Sequence, residues 1–493
     1  MKFIKKIVFV TAIIACTQCS SDFLDRAPLD TINTSNYPAN ASELITIVNG
    51  AYQPLQWPKL YNLRMWTTDI MAGNSIVGAG GGSDGIETQD NSNFTTTTDN
   101  QGVLDMWRGP WPGILMANTV LKVAPTLTID NAIKDRSIGE AYFLRAHYYF
   151  ILVRFFGDVP LITEPGSSDT DLFPERVSKD LVYQQIISDL EKAAELLPNK
   201  SDYSGSDIGR ANKGAALGEL AEVYLTLGNN WQKVVDLTTQ VEGLGFALNT
   251  NYGDNFNPNA ENSVESLFEI QYASDGGYSF WNNENQAAWT SPFMGPRGAN
   301  FVGGGFGWNQ PTQEFIDSYE ANDKRKNVTV LYDGSPQFDG KTYQASYSST
   351  GYNVRKFLVP LSLVSSYDNS PMNFPVLRFS NILLMKAEAL NELGQTSQAE
   401  IPLNKVRNRA GLPNIATGLS KDQFRLKVLN ERRVELAFEG QRWFDLIRVN
   451  NGQYGLDFLH SIGKSNATQK HLLFPIPQIE RDRNPKLTQN PGY

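Results

Sequence analysis

Cysteine and histidine are nearly missing from this chain of 493 residues, which carries only two cysteines and three histidines. Cys16 and Cys19 lie within the first 19 residues, while His147, His460 and His471 are far apart in the sequence. A disulfide needs two cysteines, and a Cys/His metal site needs several such ligands close together. The sequence therefore argues against disulfides and Cys/His metal sites in the remainder of the chain, and it predicts no cofactor.

An excess of positive charge is also missing. Lys and Arg total 43 against 52 Asp and Glu, which gives a net charge of -9. An acidic chain repels a phosphate backbone unless a local basic patch compensates, and no such patch occurs outside the N-terminus. Nucleic acid is therefore not an expected partner. With 41% hydrophobic and 11% aromatic residues, the chain has enough apolar side chains for a large core.

The N-terminal apolar run is too short to span a bilayer, which takes about 20 residues. It covers residues 7–16, follows a lysine-rich head and ends near Cys19, a pattern typical of a secretory signal. We predict a signal peptide at residues 1–18 and lipidation of Cys19, which anchors the chain to a membrane through its acyl chains. The alternative is an ordinary export signal with an incidental cysteine.

Helical periodicity dominates the ordered stretches. The clearest example has apolar residues three or four positions apart, at Ala141, Leu144, Tyr148, Ile151 and Phe155. Gly157 and Pro160 predict the end of this helix. Further helices are predicted at 41–52, 114–123, 181–197, 211–227, 382–393 and 424–438. The predicted fold class is mainly α.

Two segments have the spacing of tetratricopeptide helical hairpins. The better copy has its small and apolar marker residues at Ala387, Leu390, Gly394, Ala399, Leu403 and Val406. Ala221, Tyr224 and Gly228 repeat the first three positions, but Lys233 stands where the returning helix needs Ala. Pro402 cannot donate a helical hydrogen bond, so we expect the second helix of the better copy to begin there.

Two long stretches lack helical periodicity, namely residues 56–103 and 249–376. Both are rich in Gly, Asn, Ser, Thr and aromatic residues, and long ordered loops are usually functional. We therefore predict one body at 19–493, in which these two insertions bind a ligand. The helical scaffold is expected at about 36–55, 104–248 and 377–493.

Several spaced motifs resemble the SusD/RagB family of outer-membrane nutrient-binding lipoproteins. In the N-terminal half they are CSSDFLD at 19–25, FLRA at 143–146 and RFFGDVPL at 154–161. The C-terminal motifs are LRF at 377–379, NKVR at 404–407, RAGLP at 409–413, ERRVELAFEGQRWFDL at 431–446, FPIP at 474–477 and QNPGY at 489–493. The resemblance therefore runs the length of the chain.

The resemblance implies a superhelical scaffold of four tetratricopeptide-like helix pairs that carries irregular, loop-rich ligand-binding insertions. It also implies a lipid-anchored protein exposed on the outer membrane. Members of the family act as glycan receptors and lids for a TonB-dependent, SusC-like transporter. They place their ligand aromatics in loops of the same two regions, without a fixed site motif.

The charged C-terminal motif invites a catalytic interpretation, because two carboxylates can serve as acid and base in glycoside hydrolysis. Glu435 and Glu439 are one helical turn apart, with Arg432 and Arg442 three positions before and after them. Pairing with these arginines is expected to keep both carboxylates ionised, whereas a general acid needs the opposite shift. We therefore predict a structural ion-pair network and no enzyme activity. The glycine-rich segment 78–82 lacks a following Lys-Ser/Thr and is interpreted as a close-approach loop.

A sugar ring presents one apolar C–H face and an edge of hydroxyl groups, so its receptor needs flat aromatics and bidentate polar groups. Both kinds of side chain occur in the two insertions. The predicted ligand-binding residues are Trp66, Asp69, Asn74, Tyr278, Trp281, Trp289, Arg297, Trp308 and Arg355. Each has the alternative role of anchoring its own loop or strand.

The sequence thus predicts a surface-exposed lipoprotein that captures an oligosaccharide or polysaccharide and delivers it to a SusC-like transporter. One alternative is the same architecture binding peptides or another non-sugar nutrient. The other alternative is a glycan-processing enzyme.

Overall fold

The structure, a computed structural model of the chain, describes residues 37–166, 172–274, 279–364 and 366–493. Helices make up 50% of it and strands 6%, so the mainly α fold is confirmed. Among the described residues, no helix combines the length and apolar character that a bilayer crossing requires.

Helices and strands are numbered here in chain order. The helices are α1 Ala41–Tyr52, α2 Thr68–Met71, α3 Ile86–Asn93, α4 Gln101–Arg108, α5 Pro110–Val123, α6 Asn131–Phe156, α7 Lys179–Leu196, α8 Lys213–Leu227, α9 Trp231–Glu242, α10 Thr290–Met294, α11 Gln313–Ile316, α12 Arg325–Thr329, α13 Phe379–Glu392, α14 Thr396–Arg409, α15 Lys421–Glu435, α16 Arg442–Arg448, α17 Gln453–Ser461 and α18 Gln478–Arg483. The strands are β1 Ser75–Gly78, β2 Ser266–Ile270, β3 Trp308–Pro311, β4 Val330–Leu331, β5 Asn353–Val354 and β6 Phe374–Arg378.

Helix α6 shows how local sequence sets the helix ends. It begins after Asp130, whose carboxylate accepts hydrogen bonds from the backbone N–H groups of Ala132 and Ile133. It ends at Gly157, which adopts a φ of +68°. A Cβ at this position would lie 2.9 Å from the Leu473 side chain. The glycine predicted to end the helix is therefore required both by its backbone conformation and by close packing.

The long helices pack as four consecutive pairs. Helix α1 packs on α5, α6 on α7, α8 on α9, and α13 on α14. Contacts of α5 with α6, α7 with α8, and α9 with α13 join one pair to the next, and α15 packs on α13 and α14. This order of contacts is that of the helix-pair scaffold which the resemblance implies.

Both predicted hairpins form. Gly228 separates α8 from α9, and Gly394 separates α13 from α14, with φ values of +63° and +77°. Glycine adopts this conformation without the strain that a Cβ would add, so the chain can reverse within three residues.

The expectation that the second helix of the C-terminal hairpin begins at Pro402 is wrong. Helix α14 already begins at Thr396, and Pro402 lies inside it. Ala399 and Leu403, on either side of Pro402, are both fully buried. Packing of α14 on α13 therefore holds the turn before Pro402 in helical form, even though one backbone hydrogen bond is lost.

Short antiparallel strand pairs connect the two insertions to each other and to the scaffold. Strand β1 of the first insertion pairs with β3 of the second, and Gly78 lies opposite Trp308. Strand β2 pairs with β6, which leads directly into α13. The strands thus fix the place where side chains from both insertions meet.

Candidate ligand-binding site

Aromatic side chains from both insertions form one continuous group, which we call the aromatic cluster. Each ring has its centroid between 4.8 and 6.5 Å from that of at least one other member. The members are Trp66, Phe280, Trp281, Trp289, Phe293, Phe306, Trp308 and Tyr367. Trp66 comes from the first insertion and the other rings from the second, as the register of β1 and β3 allows.

Burial is graded across the aromatic cluster. Trp66, Phe280 and Trp289 are buried at its base. Phe293, Phe306 and Trp308 are half-buried. Trp281 is 59% exposed and Tyr367 is 48% exposed. The buried rings thus support outer rings whose surfaces are open to a ligand.

The backbone after Trp281 is fixed by hydrogen bonds from the side chains of Gln53 and Trp57. The carbonyl oxygen of Asn283 accepts from Trp57 Nε1 at 3.0 Å and from Gln53 Nε2 at 3.1 Å. The Phe280 ring packs against Trp281, with centroids 4.8 Å apart. Because these contacts hold the loop, binding on Trp281 would need little ordering of the backbone.

The glycine-rich loop at 78–85 lies against Trp308. Gly85 has a φ of +62°, and a Cβ there would come within 2.3 Å of the Trp308 ring. At the start of the loop, the N–H of Ala79 donates to the carbonyl oxygen of Gly307 at 2.6 Å. The loop approaches the ring closely because it carries no side chain at Gly85, a residue that lies just beyond the predicted close-approach loop at 78–82.

An exposed ion pair joins this loop to the second insertion. Arg297 Nη1 lies 3.1 Å from Asp84 Oδ2, and the side chains are 52% and 44% exposed. The N–H of Gly80 donates to the same Asp84 oxygen at 2.8 Å. The Gly80 hydrogen bond and Arg297 together lower the pKa of Asp84 below its usual value. Arg297 also lies beside Gly307, the residue before Trp308.

Asp69 and Asn74 are buried where the first insertion packs on the C-terminal part of the scaffold. The Asp69 carboxylate accepts from Asn74 Nδ2 at 2.8 Å and from the backbone N–H groups of Phe438 and Gly440. Asn74 Oδ1 accepts from Arg433 Nε at 2.8 Å. Burial outweighs these hydrogen bonds and raises the pKa of Asp69 to about 6.

The structure places the predicted site residues in different environments. Trp66, Asp69 and Asn74 have no exposed surface. The rest of the fold covers these three predicted residues, so the structure does not present them on the surface. Trp289 is also buried, as part of the base. Tyr278 and Cys19 lie outside the described residues.

Arg355 anchors a neighbouring loop, which is the alternative that its sequence context left open. Its guanidinium donates to the carbonyl oxygens of Pro336 and Gln337 at 2.5 and 3.0 Å. It also lies 5.5 Å from the centroid of the Phe338 ring. The partners of Arg355 in these contacts all lie outside the aromatic cluster.

Sequence reasoning missed Tyr367, Phe306 and Asp84 as site residues. Phe306 and Tyr367 belong to the predicted second insertion, but no spacing pattern relates them to Trp289, which contacts Tyr367 at 5.4 Å. Asp84 follows the glycine run and is an isolated acid in the sequence. Its pairing with Arg297, 213 positions later, depends on the fold.

Glu435 and Glu439, the two carboxylates considered as a catalytic pair, are buried in an ion-pair network. Glu435 pairs with Arg325, Arg378 and Arg409, at distances from 2.5 to 3.1 Å. Glu439 pairs with Arg378 at 2.7 Å and with Lys356 at 2.5 Å. Although burial alone would raise it, Arg409, Arg378 and Arg325 hold the pKa of Glu435 well below its usual value. A carboxylate held ionised in this way is unsuited to donate a proton.

The partners of this network differ from those expected. Arg432 pairs with Asp445 at 2.9 Å instead of with Glu435. Arg442 makes no ion pair in the part of the chain that the structure describes, and only its Nη2 donates, to Tyr454 at 3.4 Å. The expected pairs are wrong because the cations that reach Glu435 and Glu439 come from distant segments. Within the described ranges, no group of three or more His, Cys, Asp or Glu side chains is placed to hold a metal ion.

Comparison with known proteins gives matches along most of the chain. A family model described as the SusD family matches residues 264–493. A second model, described as starch-binding and associating with the outer membrane, matches residues 22–225. SusD-like protein P2 of Formosa agariphila is 29% identical over 518 residues, which cover 99% of each chain.

Solved structures match over similar lengths. A laminarin-binding SusD-like protein is 28% identical with a TM-score of 0.80, covering 92% of this chain and 100% of that one. Surface glycan-binding protein A from Bacteroides thetaiotaomicron, in complex with laminarihexaose, is 23% identical with a TM-score of 0.77 and coverages of 91% and 99%. The second similarity shows a shared fold.

Proposed function

This chain belongs to the SusD family, and from that premise we propose that it is a cell-surface protein that binds glycans on the outer rings of the aromatic cluster. The ligand-binding residues are Trp281, Phe306, Trp308 and Tyr367, with Arg297 at one edge. The proposal rests on one observation, namely that buried rings support exposed rings from the same cluster.

The physical basis is the match between an aromatic ring and the C–H face of a pyranose. Contact removes apolar surface from water at about 25 cal/mol per Å². Hydroxyl groups exchange water hydrogen bonds for protein ones, at a net gain of about 1 kcal/mol each. Affinity is therefore expected to come mainly from stacking, while polar groups at the edge select the sugar.

The ligand class is a neutral glucan. The laminarin-binding neighbour supports this proposal, because its identity to this chain is 28% over nearly its whole length. Isothermal titration with laminarihexaose, cellohexaose, maltohexaose and a peptide library tests it. Binding of a hexasaccharide is expected, and binding of peptides alone would overturn the proposal.

We also propose that the protein does not hydrolyse its ligand. The ion pairs that keep Glu435 and Glu439 buried and charged support this. Prolonged incubation with laminarin should release no reducing ends. Release that disappears in Glu435→Gln would contradict the proposal.

Capture is proposed to serve delivery to a SusC-like, TonB-dependent transporter, with the protein anchored by acyl chains on Cys19. The description of the matching N-terminal family model as associating with the outer membrane supports this location. Growth with a tagged fatty acid should label the wild-type protein but not Cys19→Ala. Label that persists in the variant would show that Cys19 is not the acylated residue.

A further inference from the structure

The Asp84–Arg297 ion pair lies beside the aromatic cluster. Asp84 immediately precedes Gly85, where a Cβ would lie 2.3 Å from the Trp308 ring. Arg297 lies against Gly307, the residue before Trp308. The pair joins the two charges at 3.1 Å and leaves about half of each side chain in solvent. A sugar bound on Trp308 would therefore have both charges as neighbours.

We infer that Asp84 determines the charge specificity of the glycan site, by neutralising Arg297 so that the site takes uncharged sugars and rejects sulfated or carboxylated ones. This inference rests on the proposed function. An unpaired guanidinium beside the aromatic cluster would attract such anionic groups and bind them in bidentate geometry. Asp84 occupies Arg297 Nη1 and supplies a compensating negative charge.

The position of the loop does not depend on Asp84 alone, because other hydrogen bonds also hold the loop. The N–H of Ala79 donates to Gly307, and Gln89 Nε2 donates to the carbonyl oxygens of Gly82 and Asp84 at 3.1 and 2.7 Å. Gly78 pairs with Trp308 at the end of β1. Removing the charge of Asp84 should therefore leave the loop beside Trp308 and expose the charge of Arg297.

Asp84→Asn is the variant that tests this role. Its amide oxygen can still accept from the N–H of Gly80, so the local backbone contact is kept while the charge is lost. Asp422→Asn is the matched control, because it changes the net charge equally. Asp422 is an exposed acid that pairs with Arg425 at 2.5 Å on α15. The double variant Asp84→Asn/Arg297→Met removes both charges at the site.

Each protein is titrated with laminarihexaose and with sulfated laminarihexaose, at low and at high salt. Asp84→Asn should shift the ratio of the two affinities toward the sulfated sugar by at least about fivefold at low salt. The shift should be largely lost at high salt, since exposed charges are screened. The control and the double variant should keep the wild-type ratio within about twofold.

The outcomes separate the two proposals. If wild-type protein binds laminarihexaose and Asp84→Asn leaves the ratio unchanged, the role of Asp84 is overturned and the glycan site stands. An equal shift in Asp422→Asn overturns it as well, because the effect then follows from net charge. If the wild-type protein binds neither sugar, the proposed ligand and the inference built on it both fail.

Discussion

Trp281 is the residue on which the proposed stacking depends most. It is 59% exposed, while its neighbour Phe280 is buried beneath it. Trp281→Ala should weaken hexasaccharide binding by at least about tenfold, because stacking removes apolar surface from water and adds about 0.5 to 1.5 kcal/mol per ring beyond that area. The free energy of unfolding should change by less than about 0.5 kcal/mol, as expected for an exposed side chain.

Trp231 offers a matched control for this substitution. It is half-buried at the start of α9 and makes no ring contact with the aromatic cluster among the described residues. Trp231→Ala should leave the affinity unchanged in the same titration. Equal losses in both variants would argue against a specific role for Trp281.

Replacement by methionine is expected to change the free energy of unfolding differently at two buried arginines. Arg378 pairs with Glu265, Glu435 and Glu439, so Arg378→Met removes one cation from each of three buried carboxylates and should cost about 3 to 5 kcal/mol. Burial lowers the pKa of Arg442, which has no ion-pair partner in the described part of the chain. Arg442→Met should therefore be neutral within about 1 kcal/mol or stabilising.

Equilibrium urea unfolding of the two variants checks this contrast. The expected order of stability is Arg378→Met below wild type, and Arg442→Met at or above wild type. A large loss in Arg442→Met would mean that its guanidinium contributes an interaction that compensates for its burial.

Asp69 should make stability depend on pH. Its pKa is about 6 in the folded protein, against about 3.9 in an unfolded chain. The folded state therefore holds the proton more tightly, and this contribution is present below pH 4 and lost as the pH rises through 6. Relative to Asp69→Asn, wild type should lose about 2 kcal/mol between pH 4 and pH 7. Parallel pH profiles of the two proteins, measured by urea unfolding, would contradict this.

For single residues, the sequence could predict the kind of interaction that a side chain makes, but not which residues it contacts. It indicated that Glu435 is ion-paired, yet Arg325 reaches it from 110 positions away. Similarly, the aromatic content of the first insertion did not reveal that Trp66 is covered by Phe293 and Trp308. Such contacts depend on how the insertions fold against each other.

Among the elements, the glycine-rich loop provides the sharpest test. Gly85→Ala places a Cβ 2.3 Å from the Trp308 ring, so either the loop or the ring must move. Gly82 has a similar φ of +59°, but a Cβ there meets nothing within 4 Å. Both variants carry the same backbone strain, of about 1 to 2 kcal/mol. Gly85→Ala alone should weaken hexasaccharide binding, by several-fold in titration calorimetry.

Wild-type glycan affinity in Gly85→Ala would show that the position of Trp308 does not matter for binding. A loss of affinity in Gly82→Ala as large as that in Gly85→Ala would indicate that backbone strain, and not the contact with Trp308, is responsible.

Helices were the elements that the sequence predicted best. The predicted helix 41–52 coincides with α1, since Asn40 caps it and apolar residues repeat along one face. The start of α14 was misplaced because local rules for proline ignore packing on α13. The pairs β1–β3 and β2–β6 join segments more than 100 positions apart, and no local pattern indicates them.

At the scale of the whole molecule, the helix pairs position two insertions so that they build one surface. The sequence predicted two insertions rich in aromatic residues. It could not say which rings are exposed, because burial follows from the pairing of β1 with β3 and from ring packing across the insertions. Glycan binding on this surface is the central claim.

A crystal structure of the protein with laminarihexaose tests that claim most directly. We expect glucose rings to lie against the exposed faces of Trp281, Trp308 or Tyr367, with the Asp84–Arg297 pair at the edge of the bound sugar. A hexasaccharide seated on another surface, with these rings uncovered, would contradict it.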